Sequence, residues 1–347
     1  MTGAPAPGID LRALDAWLAG RVAGLAPLAG IRQFQGGQSN PTFLLTDAAG
    51  RRYVLRKKPD GVLLPSAHAI DREYRVMQAL AGTAVPVPKV LCYCDEPGVI
   101  GAPFYLMDFV EGRIFWDPAL PELQAPQRAA MYDEMNRVIA ALHTVDPAAV
   151  GLGDYGRPEG FFQRQVERWT KQYRASATGE IEAMERLIEW LPQHLPATSL
   201  SGVFHGDFRL DNLIFHPTEP RVLAVLDWEL STLGDPRGDF AYHLLPWRLT
   251  SAEFRGMAER DLASLGIPSE ADYVRRYAER TGREVDPADH EFGVIYSMFR
   301  LAAILQGILK RSLDGTAADP KAHETGLKAR GVAEAAWRQV QAHWPGA

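Results

Sequence analysis

Hydrophobic positions change their period twice along this chain. Behind Asp10, a residue type that caps helices, Leu11, Leu14, Leu18 and Val22 recur at helical spacing. From residue 31 to residue 57 the pattern is strand-like: a first strand, a Gly-containing turn, a strand at 42–46, an Ala-Ala-Gly turn and a strand at 53–57. Ser66 then precedes a helical stretch over 69–80 with Tyr74, Met77 and Leu80 on one stripe, and two further strands follow at 89–93 and 104–110. Later helical periodicity covers 127–143, 160–176, 181–191 and several segments from 238 to 341. Between Gly202 and Trp228 short apolar strands interrupt it, joined by a Pro-containing turn at 216–221. The expected fold class is therefore α+β. A first domain over 1–110 holds a five-stranded antiparallel sheet plus helix, and a second over 111–347 is mainly helical.

Length agrees with two domains, since 347 residues exceed what one compact core usually holds. The formal net charge is -6 and no basic run is dense enough to track a phosphate backbone, so nucleic acid is excluded as an expected partner. Cys92 and Cys94 lie two apart on a strand, too few ligands for a structural zinc site, and are expected to pack. The first eight residues lack the basic and apolar regions of a secretory signal. The apolar stretch 297–309 is broken by Arg300 and Gln306 and is too short to span a bilayer, so no membrane is expected and the location is expected to be cytoplasmic.

The strongest chemical signal lies in the interruption of the helical region. His205-Gly206-Asp207-Phe208-Arg209-Leu210-Asp211-Asn212 is followed by Asp227 inside Val225-Leu226-Asp227-Trp228-Glu229. Phosphoryl transfer needs a carboxylate to take the proton of the attacking hydroxyl and oxygen ligands to hold magnesium against the phosphates. The spacing H-x-D-x-x-x-x-N, then D, is that of the kinase catalytic loop, which makes Asp207 the base and Asn212 and Asp227 the metal ligands. Alternation supports it, with Leu213, Phe215 and Val225 packing a hairpin and Asn212 and Asp227 at its strand ends. His205 is expected to brace the loop by hydrogen bonding.

HGDFRLDNLIF followed by VLDWELSTLGDPRGDFAY resembles the aminoglycoside phosphotransferase and choline kinase superfamily. YVLRKKP, SAHAIDREYRV and FFQRQVERWTKQYRASA resemble, more narrowly, the branch with kinase-like domains fused to acyl-CoA dehydrogenases. The resemblance runs from about Gln33 to Arg300. It implies a bilobal protein-kinase-like fold and ATP with Mg2+ as cofactors. It also implies a third-strand cation held by a helix glutamate, here Arg56 and Glu73; Arg departs from the usual Lys but suits bidentate pairing, and Lys57 or Lys58 could share the role. Ser39 and Asn40, in the loop after the first strand, are placed to cap phosphates, although that loop alone is only a hairpin turn. The segment ending the small domain resembles the adenine-receiving linker, with the Asp108 carbonyl accepting, the Val110 N–H donating and Met107 behind them. Asp239 is expected to cap a helix or brace the catalytic loop.

For the acceptor, the basic helix over 161–175 stands out: Arg164, Arg168 and Lys171 share a face, with Trp169 and Tyr173 available for stacking. On residues alone, a solvated basic face over core aromatics serves equally well. The resemblance favours an anionic substrate, a hydroxyacyl-CoA phosphorylated on its acyl hydroxyl, with an acyl-CoA dehydrogenase in the same pathway. Choline, an aminoglycoside or another small metabolite is the alternative, as is a nucleotide-binding regulatory module without turnover. Arg209 either touches the transferring phosphate or pairs with Asp211, and Glu229 carries no assigned role.

Overall fold

The computed structural model describes residues 8–34, 40–59, 69–317 and 319–346. Contacts divide the chain into two compact units, one comprising Met1–Arg113 and Leu213–Ser231, the other Ile114–Asn212 and Thr232–Ala347.

In the first unit helix α1 (Leu11–Leu18) starts where Asp10 accepts from the backbone N–H groups of Arg12 and Ala13, and it buries Leu14 and Leu18. The sheet contains β1 (Leu28–Gln33), β2 (Thr42–Asp47), β3 (Arg52–Lys57), β4 (Val90–Cys94) and β5 (Phe104–Asp108). Its order is β1-β2-β3-β5-β4, antiparallel throughout. Helix α2 (Ile70–Leu80) follows β3; its N-cap is Ala69, which makes no side-chain cap bond, and Ser66 lies outside the described residues. One sheet face closes over Leu45, Leu55, Phe104 and Leu106 against α1, so the strand alternation and the α1 stripe meet in a single core. Cys94 belongs to that core and Cys92 packs against it, with burial raising both thiols.

The segment 213–231 joins this unit through backbone pairing. Arg113 and Phe215 exchange both N–H···O bonds at 2.8 Å, and the Val225 N–H donates to Pro86 O at 2.9 Å. Any Cβ on Gly112 would lie 2.2 Å from the Phe215 carbonyl oxygen, so glycine is required there. The hairpin pairs Leu213 with Val225 and Phe215 with Val222. The strand before it, Gly202–Phe204, pairs instead with Thr232–Gly234 in the second unit.

The second unit is helical around a long central helix, Pro287–Leu313. The apolar stretch was expected to be too short to span a bilayer, yet the helix that carries it has 27 residues and a mean hydropathy of 1.6 in its most apolar window. Asp286 caps it and Pro287 occupies its first turn, which starts it well before the apolar run. Its window is 83% buried inside the protein, so length and composition here serve a core helix. The helix Phe161–Ser176 packs Phe161, Phe162, Val166, Trp169 and Tyr173 into the same core.

Candidate functional site

In the first unit β3, α2 and the segment 213–231 bring a cation and three carboxylates together. Arg56 Nε lies 3.0 Å from Glu73 Oε2, and Arg56 Nη2 lies 3.0 Å from Asp227 Oδ1 and 3.7 Å from Glu229 Oε2. Glu73, 1% exposed, also accepts from Asn40 Nδ2 at 2.8 Å and from the Tyr105 hydroxyl at 3.0 Å. Burial pushes the Glu73 carboxyl up against the pull of Arg56, while burial opposes the Arg56 charge and Glu73, together with Tyr105, Asp227 and Glu229, holds the guanidinium above its ordinary value. A lysine ammonium, as a compact point charge, lacks the planar fork that lets one Arg56 side chain reach Glu73 and Asp227 together. Glu229, unassigned from sequence, joins this cluster. Asp227 adopts φ 64, a left-handed conformation rare outside glycine that short acidic side chains tolerate. Asp108 ends β5, Val110 follows half-buried, and Met107 is buried in the sheet beside Val54 and Val90. Ser39 lies outside the described residues.

In the second unit the loop 205–212 is anchored atom by atom. Asp239, 0% exposed, accepts from the N–H groups of His205 at 2.7 Å and Gly206 at 2.9 Å, and its carboxylate meets His143 Nε2 at 3.2 Å. Burial works against ionisation of Asp239, but these donors hold its carboxyl below the ordinary value. Asp239 is thus a brace, and Asp235 is the residue that caps its helix, accepting from the Arg237 N–H. His205 is fully buried and its Nδ1 accepts from the Asp207 N–H at 3.1 Å. Gly206 turns the loop at φ 88, and Arg300 donates to its carbonyl oxygen while lying over the rings of Tyr242 (4.7 Å) and Trp169 (5.4 Å). Arg300 and Tyr242 went unrecognised in the sequence, where Arg300 showed only as a charge inside an apolar run.

Asp207 is tied down on both oxygens. Arg209 Nε sits 2.8 Å from Oδ1 and Arg209 Nη2 donates to Oδ2 at 3.1 Å. Asn212 Nδ2 donates to Oδ2 at 2.9 Å and to the Asp207 carbonyl at 2.8 Å, and the Tyr242 hydroxyl interacts with the same carboxylate. This use of Nδ2 leaves Asn212 Oδ1 as its acceptor atom, and Asp227 is a carboxylate with 37% of its side chain exposed. Both offer the hard oxygen ligands magnesium takes.

Beside this loop the second unit holds a pocket that is partly open to solvent. Its walls are mainly apolar, including Tyr132, Met135, Leu245, Trp247 and Leu301, and Arg209, Asp211 and Arg255 stand among them. Trp116, 66% exposed, is part of the same lining. His243 also lines it: its Nδ1 is 3.3 Å from the Phe208 carbonyl and its Nε2 2.7 Å from the Tyr273 hydroxyl, an arrangement a neutral ring satisfies. Burial lowers His243 from 6.5 to about 4. The sign follows: the unfolded chain takes up a proton below about pH 6.5 that the folded one refuses, so stability is full above that pH and falls as pH drops toward 4. Urea unfolding at pH 7 and pH 4.5 is expected to show this fall, of roughly 2–3 kcal/mol, reduced in His243→Gln.

The basic helix contributes nothing to that lining. Arg164, Arg168 and Lys171 are exposed, and Arg164 donates to the carbonyls of Arg157 and Glu159. The stacking expected of Trp169 and Tyr173 is corrected by their burial, 6% and 1% exposed in the core.

The chain is 51% identical over 308 residues to mouse acyl-CoA dehydrogenase family member 10, covering 88% of this chain and 28% of that protein. It is 43% identical over 309 residues to chicken acyl-CoA dehydrogenase family member 11, covering 88% and 39%. The chain thus spans well under half the length of these curated relatives. A crystal structure from Ralstonia eutropha JMP134, of a provisionally assigned aminoglycoside phosphotransferase, superposes with a TM-score of 0.88 at 54% identity, covering 96% of this chain and 98% of that one. The pattern of one family matches residues 30–279, and with it the chain belongs to the phosphotransferase enzyme family.

Proposed function

We propose that this protein transfers the γ-phosphate of ATP to a hydroxyl on a small molecule with an apolar chain, best met by the acyl hydroxyl of a hydroxyacyl-CoA. The observation that carries the acceptor assignment is the pocket, whose lining residues Arg209 and Tyr242 also engage the Asp207 carboxylate. Asp207 takes the hydroxyl proton as oxygen attacks phosphorus, and ADP leaves. Magnesium, held by Asn212 and Asp227, would supply neutralisation of phosphate charge. Arg56, kept in place by Glu73, binds the nucleotide phosphates together with Asn40 and Ser39, and the Asp108 carbonyl and Val110 N–H receive the adenine.

An apolar pocket carrying two arginines and one aspartate suits a chain with negative charge and opposes a polycationic aminoglycoside. The names of the relatives support an acyl-CoA substrate. In this reading an acyl-CoA dehydrogenase acts in the same pathway, in the cytoplasm, and phosphate makes the hydroxyl a leaving group. Arg164, Arg168 and Lys171 remain as contacts for the coenzyme A portion. ADP release across 3- and 4-hydroxyacyl-CoAs, free hydroxy acids, choline and aminoglycosides tests this: selective turnover of hydroxyacyl-CoAs is expected, and selective turnover of choline or an aminoglycoside would overturn the acceptor. Within an acyl series, each methylene buried in the pocket should lower KM roughly three- to fourfold, about 0.8 kcal/mol, until the pocket is full. A KM independent of chain length would remove the pocket from acceptor binding.

A further inference from the structure

Asp207, the base of the proposed reaction, is engaged by the side chain that stands between it and the pocket. A proton acceptor must meet the substrate hydroxyl at hydrogen-bond distance. Here the Arg209 guanidinium spans both Asp207 oxygens, at 2.8 and 3.1 Å, and Asn212 Nδ2 also donates to Oδ2. Arg209 does not belong to Asp207 alone, because its Nη1 lies 3.4 Å from Asp211 Oδ2. The same Asp211 oxygen accepts from Arg255 Nη1 at 3.0 Å. Asp207, Arg209, Asp211 and Arg255 thus form a row of alternating charge, neutral as a set, whose last three members line the pocket. Arg255 has 46% of its side chain exposed, against 31% for Arg209 and 9% for Asp211, and its guanidinium lies 5.7 Å from the ring of the exposed Trp116.

A neutral row in which two cations share one central carboxylate can shift by one place when a further anion arrives. An anion on Arg255 lets Asp211 take Arg209 in full, and every cation keeps a partner. The carboxylate left over is Asp207. We propose that Arg255 is an anion-binding subsite for the acceptor, and that filling it draws Arg209 from Asp207 to Asp211, uncovering the base. The ligand class is an amphiphile: an apolar chain for the pocket and a carboxylate or phosphate for Arg255. Acceptor binding and exposure of the base are then coupled, which restrains transfer to water while the pocket is empty. This inference rests on the phosphotransferase reading.

The probe is hexanoate, which carries the chain and the anion but no hydroxyl, with hexanamide as its neutral counterpart, and the readout is ADP and phosphate released from Mg·ATP without acceptor. Hexanoate should accelerate wild-type ATP hydrolysis several-fold and hexanamide should not. Arg209→Gln should hydrolyse ATP several-fold faster than wild type with no addition and lose the response to hexanoate. Equal effects of hexanoate and hexanamide on the wild type, or hydrolysis by folded Arg209→Gln at or below the wild-type rate, would overturn the proposal. Failure of the wild type to phosphorylate any hydroxyacyl-CoA would strike the underlying function instead, and is read in the same assay with acceptor present.

Discussion

Asp207→Asn is expected to slow phosphate transfer by at least about a hundredfold while leaving Mg·ATP binding close to wild type. The substitution keeps the shape of the side chain and an oxygen for Arg209 and Asn212 to meet, so the loop held by Asp239, His205 and Arg300 has no reason to move. What it removes is the charge that drives the hydroxyl proton away from the attacking oxygen. Magnesium and nucleotide groups are assigned elsewhere, to Asn212 and Asp227 and to the Arg56 cluster. Single-turnover transfer and nucleotide titration, made on the same preparation, separate the two effects. Wild-type transfer by the variant would remove Asp207 from the chemistry.

Asp239→Ala is expected to destabilise the second unit by about 3–5 kcal/mol, besides abolishing transfer, because it strips a fully buried cluster of its acceptor. The His205 and Gly206 N–H groups and His143 all lose the carboxylate that they now share. Since Asp239 is held below its ordinary value of 3.8, the stability it contributes is full above that pH and lost as pH falls through the folded value. Urea unfolding of wild type and variant at pH 7 measures the difference. A change below about 1 kcal/mol would show that the loop is fixed by other contacts, such as Arg300 to Gly206.

Much of this arrangement was legible in the chain, for identifiable reasons. Strand alternation places Leu213 opposite Val225, and the α1 stripe of Leu14 and Leu18 reports the core it enters. Arg56 and Glu73 meet because a strand and the following helix bring them together, a local event in sequence. Non-local geometry was not legible. Pairing of Gly202–Phe204 with Thr232–Gly234 spans the whole hairpin, and periodicity cannot say which of two neighbouring strands a short apolar run will choose. The pocket joins Arg209, Leu210 and Asp211 of the 205–212 motif to Trp116, the region around Tyr132, the stretch Tyr242 to Arg255, and Leu301, which lie far apart in sequence. Arg255 is an ordinary charged residue in the sequence and acquires its place beside Asp211 only through the fold. The basic helix shows the opposite case, where a conspicuous composition marks an exposed surface over core aromatics.

Phosphorus NMR of the products formed from Mg·ATP and a 4-hydroxyacyl-CoA tests the central claim most directly. A phosphate monoester on the acyl chain, formed in equal amount to ADP and absent with Asp207→Asn, is the expected result. ADP accompanied only by inorganic phosphate, or no ADP at all across the hydroxyacyl-CoA series, would contradict it.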